Sequence, residues 1–366
     1  MQQRCLLSAE LSQNLPSELT FTRAAGNNSY QTGPAVDGTT FIAMNAGVNV
    51  PRFHYVPALG RRALLIEGTR KNYVHDSNFV CVANLPGGWG INAGVAGVDF
   101  GCAAGGPHGG HYFRILDTAV ANVGVVDVAC DAIGAATQFA SSLLSYRPVG
   151  GAASAWYSWN TNPGAAAIPI PDAAHDWTAC SVVASTVGAS TTAYLCMVGD
   201  PSGAFRSACS QTEVGAFAST WIPTAGAAAT RAAELALISA ACINPTEGRL
   251  HFPFCPGYAS TVTFGTPWLF RFNANTYIGI TAAGAVQVFD GGVGRATSGA
   301  LTWNPWDLLD VDLVYGPAGT RLEVNGTTYT DANAWAGAAL NAPALGAQAA
   351  GTNEANGAFG GLSIWG

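Results

Sequence analysis

Short apolar runs of four to seven residues recur along the chain, and polar or Gly/Pro-rich breaks separate them. Alternation in Leu19-Thr20-Phe21-Thr22-Arg23 predicts a strand, followed by a polar turn at Gly26-Asn27-Asn28. The run Arg62-Ala63-Leu64-Leu65-Ile66-Glu67 predicts another, after the Pro-bounded segment Pro51 to Pro57. Between 79 and 220, strands are expected at Val123 to Val128, Thr178 to Val183 and Thr192 to Val198, with a turn-rich patch at Ala155 to Asn160. Beyond residue 258 the pattern sharpens, with strands predicted at Thr261–Phe264, Trp268–Phe272, Tyr277–Ile280, Val286–Phe289, Asp310–Tyr315, Arg321–Gly326 and Leu362–Trp365. Gly316-Pro317-Ala318-Gly319 reads as a tight reversal, and Asn325-Gly326 as a second hairpin turn. A helical segment fits Thr230 to Leu237 alone, although Ile238-Ser239 weakens it. The fold class predicted is all-β: two antiparallel β-sandwich or jelly-roll domains with a short N-terminal arm.

Composition sharpens this reading. Charged residues make up 10% of the 366, against about 25% in an ordinary domain. Formal charge is -7, and Lys71 is the single lysine. A nucleic-acid partner is therefore excluded, because no basic face is available to neutralise phosphates. No window approaches a membrane-spanning length of apolar residues, and no secretory signal is visible at the N-terminus. The nine cysteines include no CxxC pair. Without a signal peptide they are expected as reduced, buried thiols, with pairing among Cys180, Cys196 and Cys209 the disulfide alternative.

Three patches, taken together, resemble a family of tailed-bacteriophage virion surface proteins of the head-spike, head-fibre or tail type. The first is residues 19–23 with the turn after it. The second is Arg52-Phe53-His54-Tyr55 leading to Leu64 through Asn72, and the third is Gln211 through Thr224 running on to Ala229-Thr230-Arg231. The chain departs from the pattern at Thr212, where Leu is usual, at Thr220-Trp221, where a Ser-Tyr pair is usual, and at Lys71, where Thr is usual. The resemblance implies an arm or tether over 1–18 and N-terminal strands over 19–72, which pack on the C-terminal sandwich or stand alone. It implies a carbohydrate-binding-like jelly roll over 73–228 and a concanavalin/laminin-G-like sandwich over 229–366. It also implies a non-enzymatic virion structural protein that decorates a capsid or forms a short spike or fibre, with weak glycan adhesion as an added property. The runner-up is a tail receptor-binding protein recognising host polysaccharide. The partners implied are copies of the chain in a homotrimer, the major capsid protein or other virion proteins, and host or environmental glycans. The place implied is the virion surface after assembly in the host cytoplasm.

Candidate chemistry is sparse. Glu67, Arg70, Glu213 and Arg231 stand beside apolar runs, and in so uncharged a chain they are expected to pair and tie strands or domains together. A glycosidase would need two carboxylates about 5 to 9 Å apart in a cleft. No G-x-S-x-G elbow is present. No catalytic residue is therefore assigned, and no cofactor is expected. The one metal candidate is calcium at Asp310 and Asp312, two residues apart on one strand face. His108 and His111 form a weaker metal-loop candidate with a surface-turn alternative. Among the ten tryptophans, Trp156, Trp159, Trp303 and Trp306 lie in loop-like patches and are the candidates for sugar stacking or subunit contact.

Overall fold

The computed structural model describes residues 5–11, 15–23, 29–30, 45–46, 49–82, 85–93, 98–106, 111–117, 123–134, 137–146, 154–159, 178–185, 190–198, 206–262, 265–337, 339–347 and 353–366. Among these the chain is all-β, with antiparallel pairing throughout and two short 3-10 turns, Pro57–Leu59 and Ala240–Cys242, in place of α-helices. No described helix is long and apolar enough to cross a membrane.

The larger core lies between a nine-stranded and a seven-stranded sheet. In the first, Gly248–Pro256 pairs with Leu309–Gly316 on one side and with Gly357–Phe359 and Gly361–Trp365 on the other. Its inward positions are Leu250, Phe252 and Phe254, as the side-chain period of two requires. In the second, Trp268–Asn273 pairs with Thr276–Ile280. Phe252 and Phe270 meet across the core with ring centroids 6.3 Å apart. The strands Arg52–Val56 and Arg61–Ile66 extend the nine-stranded sheet, and Leu19–Arg23 pairs with Glu234–Ile238 in the seven-stranded one. Cys5–Glu10 pairs with Gly361–Trp365, which seats Leu7 and Leu11 in the same core.

Residues 73 to 228 supply a four-stranded and a five-stranded sheet around a second core that includes Phe79, Phe113, Val126 and Phe139. The chain enters and leaves this part side by side, because Arg70–Asn72 pairs antiparallel with Ala229–Arg231. The disulfide Cys81–Cys102 joins two short strand segments here. This corrects the expectation of reduced thiols: Cys81 and Cys102 are oxidised, while Cys130, Cys180, Cys209, Cys242 and Cys255 are buried and lie outside that bond.

Most expected strands are present, and both hairpin turns are as anticipated. Gly316 faces Gly319 across a two-residue loop, and Asn325 and Gly326 take positive φ values of 51° and 78° between Val324 and Thr327. Three expectations need correction. The helix at 230–237 is replaced by strands Ala229–Arg231 and Glu234–Ile238, whose burial alternates with period two. Pairing with Arg70–Asn72 and Leu19–Arg23 overrides the helical propensity of the Ala-rich run. Residues 261–262 form a turn, while 263–264 lie outside the described residues. The patch read as turn-rich at 155–160 is the strand Ser154–Trp159.

Candidate functional site: a charged junction and the cleft beside it

The three sequence patches that carried the resemblance converge where the two cores meet. Arg52 is fully buried. Its guanidinium donates from Nε to Glu234 Oε1 at 2.5 Å and from Nη2 to Glu234 Oε2 at 2.6 Å and Glu67 Oε2 at 2.7 Å. Nη1 donates to Thr220 Oγ1 at 2.5 Å. Arg231, also fully buried, reaches Glu67 at 3.1 Å and the Thr220 hydroxyl at 2.9 Å, and Arg23 reaches Glu234 at 3.2 Å. The Thr220 and Glu67 backbone N–H groups each cap a carboxylate, that of Glu67 and that of Glu234 respectively. Burial works to raise the Glu67 pKa, but Arg231, Arg52 and the Thr220 donors hold it well below the usual carboxylate range.

Glu213 sits at the other end of the junction under different conditions. Its carboxylate accepts from Ser219 N, Ser219 Oγ at 2.8 Å and Gln211 Nε2 at 2.9 Å, but Arg70 approaches only to 4.0 Å. Burial therefore raises its pKa above the ordinary value despite Arg70 and Ser219. Arg70 lies over the Phe217 ring and donates to the Val214 carbonyl. Asn72 completes the seam, accepting from the Thr212 N–H and donating to the Ile222 carbonyl, and Gln211 accepts from the Ile222 N–H.

The expected residues Glu67, Arg70, Glu213 and Arg231 thus belong to one cluster, with Glu67 paired to Arg231 and Arg70 facing Glu213. Sequence reasoning missed Arg52, Glu234, Arg23 and Thr220. Arg52 and Arg23 were inside the quoted patches, and Glu234 was concealed by the helical reading. Thr220 was also inside those patches.

Beside this cluster opens a cleft of about 410 Å³. One wall comes from neighbouring strands of the five-stranded sheet: Ser142, Leu143 and Leu144, Cys180 and Ser181, and Cys209. The other carries His54, Gly257, Pro305, Trp306 and Asn356, while the segment Phe217 to Trp221 and the edge of Glu67 form the floor. His54 and Trp306 stack with centroids 4.2 Å apart. Trp306 holds a φ of 71°, fixed by its N–H donating to the Pro256 carbonyl at 2.6 Å. Cys209 on the facing wall has a φ of 58°, where the pairing of Arg206–Val214 with Gln138–Tyr146 slips register.

The remaining candidates separate. Trp303 is 3% exposed, packs in the large core and donates its indole N–H to the Tyr258 carbonyl at 2.8 Å, so it is a core residue and offers no sugar platform. Trp306, three residues on, is half-buried and lines the cleft. Trp156 and Trp159 lie on the strand Ser154–Trp159, and their side chains lie outside the described residues. Asp310 accepts a contact from His251 at 2.8 Å, and Asp312 is held by Arg249 at 2.7 Å and faces Arg321 at 3.9 Å. Among the described residues no group of three or more His, Cys, Asp or Glu is arranged to hold a metal ion. His111 begins a strand, and His108 lies outside the described residues.

Comparison with known proteins adds little. No family model matches the chain, and no curated protein matches it. Among solved structures, mouse laminin alpha1 chain, domains LG4-5, aligns at 11% identity over 77% of this chain and 90% of that one, with a TM-score of 0.22. That is a weak, partial likeness to a laminin-G-like sandwich.

Proposed function

We propose that this chain is a non-enzymatic structural protein of a bacteriophage virion surface, which decorates the capsid or forms a short spike or fibre. The observation that carries the proposal is the junction. The three patches of the resemblance are scattered over more than two hundred residues of sequence, yet they form one buried ionic seam. Such a seam adds less to stability than to geometry: it fixes how two sandwich-like parts are held. That is a requirement of an architectural element. The neighbouring cleft supports the same reading. Its described lining offers one acidic side chain, Glu67, whose oxygens are already engaged by Arg52, Arg231 and Thr220, whereas a glycosidase needs two working carboxylates.

On this reading the chain assembles in the host cytoplasm as a homotrimer and meets the major capsid protein or another virion component. Residues 73–228 are one sandwich domain, and residues 229–366, with the strands Cys5–Glu10, Leu19–Arg23, Arg52–Val56 and Arg61–Ile66 paired into the same sheets, are the other. A second reading, a tail protein that holds host polysaccharide, is favoured by the half-buried Trp306 in the cleft. Purified particles carrying the gene distinguish the two. Quantitative mass spectrometry should find the chain in a fixed ratio to capsid protein, and immunogold should label heads for decoration or tails for receptor binding. Absence of the chain from purified particles would sink both.

A further inference from the structure

The cleft at the junction has a composition that selects its ligand. Its volume, about 410 Å³, falls within the range of small-molecule sites. One wall is backed by the second core through Leu143, Leu144, Cys180 and Cys209, and the other by a small cluster in which Trp306 packs with Val56, Leu65 and Cys255; the buried ionic seam lies beside both, so the site is preformed.

The sequence places two kinds of group across this space. On one wall, Ser142 and Ser181 are direct partners in the pairing of Gln138–Tyr146 with Thr178–Ser185, so both hydroxyls project to the same face. Neither hydroxyl has a hydrogen-bond partner among the described residues, and both line the cleft. Opposite them stands the His54–Trp306 stack, and the Trp306 indole N–H also has no partner among the described residues. The turn that presents Trp306 is tied down by Asn304 N donating to Asp307 Oδ2 at 2.8 Å, while Trp303 anchors its base in the core. Aromatic surface facing hydroxyl donors and acceptors matches a sugar ring, whose C–H face is apolar and whose rim carries hydroxyls.

Charge narrows the class. No Lys or Arg lines the cleft among its described residues, and its single carboxylate, on Glu67, is satisfied from behind by Arg52 and Arg231. A carboxylate or sulfate on the ligand would be desolvated without a partner, so an acidic glycan is disfavoured.

We propose that this cleft binds a neutral oligosaccharide, with one ring stacked on the His54–Trp306 pair and its hydroxyls bonded to Ser142, Ser181 and the Trp306 indole N–H. The inference rests on the sugar-holding reading given second above, and its test does not depend on where on a particle the chain sits.

The test titrates the full chain with maltotriose, mannotriose and triacetylchitotriose as neutral probes, and with sialyllactose as the acidic one, by calorimetry and tryptophan fluorescence. At least one neutral trisaccharide should bind with a Kd of about 1 mM or tighter, and sialyllactose more weakly. Trp306→Ala should weaken that binding by about tenfold or more. Ser181→Trp changes an exposed strand position, fills the cleft, and should abolish binding with the circular dichroism spectrum unchanged. The proposal fails if none of the neutral probes binds, if the folded Ser181→Trp variant binds as well as the parent, or if sialyllactose binds best. Failure here with the chain still found on particles would overturn the cleft alone; the chain's absence from particles with sugar binding intact would overturn only the virion reading.

Discussion

Replacing Glu234 with Gln is the sharpest probe of the junction, because the side chains have the same shape and differ in charge and hydrogen-bonding capacity. Glu234 is fully buried and accepts from Arg52 Nε and Nη2, from Arg23 Nη1 and from the Glu67 backbone N–H. An amide keeps one acceptor oxygen and turns an NH2 donor toward guanidinium donors. Arg52 would keep only Glu67 as a carboxylate partner, and Glu67 is already shared with Arg231. Breaking a buried ion pair by removing one partner costs about 3 to 5 kcal/mol, and the single change should lie in that range. Adding Arg52→Met removes the stranded cation and fills the space with an apolar chain of similar length. The double variant should then recover roughly 1 to 2 kcal/mol relative to Glu234→Gln. Urea unfolding followed by tryptophan fluorescence measures both. A loss under about 1 kcal/mol for Glu234→Gln, or a double variant less stable than the single, would show that the seam is not the coupled network described.

Other expectations follow from the same contacts. Glu213→Gln should change stability by less than about 1 kcal/mol at pH 7, or raise it, since burial lifts the folded pKa of Glu213 above its unfolded value and its ionisation opposes folding; equal losses for Glu213→Gln and Glu234→Gln in urea would refute this. Glu67 has the opposite sign. Its folded pKa lies below the unfolded value of about 4.3, so its stabilisation is present above that pH and is lost as pH falls through the window beneath it. Urea midpoints should therefore drop below about pH 4, less steeply in Glu67→Gln than in the parent; equal slopes would contradict the assignment. Reducing Cys81–Cys102, separated by 21 residues, should cost about 3 kcal/mol on the loop-entropy model, read as a lower thermal midpoint with dithiothreitol than without.

Much of the fold could be read from the chain itself. The alternation in Leu309–Gly316 and Gly319–Val324, the two-residue reversal between them and the Asn325-Gly326 turn are local properties, and local sterics decide them. The low charge and the single lysine are likewise properties of the sequence alone. Residues 234–238 were misread because Glu-Leu-Ala-Leu is a good helix sequence in isolation. The bonds that make it a strand come from residues 19–23, far away along the chain.

The site divides in the same way. That Glu67, Arg70, Glu213 and Arg231 should pair was evident from their rarity among apolar neighbours. The partners were not, because Arg52 and Glu234 are joined only by the crossing of strands from different sheets. In Trp303-Asn304-Pro305-Trp306, composition made the two indoles equivalent, and only the positive φ of Trp306 and the carbonyl of Tyr258 sent one to the cleft and the other to the core. The sequence by itself determined the hairpin turns and the alternating strands that flank them, which depend on neighbours along the backbone, and the scarcity of charge. Tertiary structure alone decided which buried charges meet and which aromatic faces a cavity, since those depend on groups brought together only when the sheets pack.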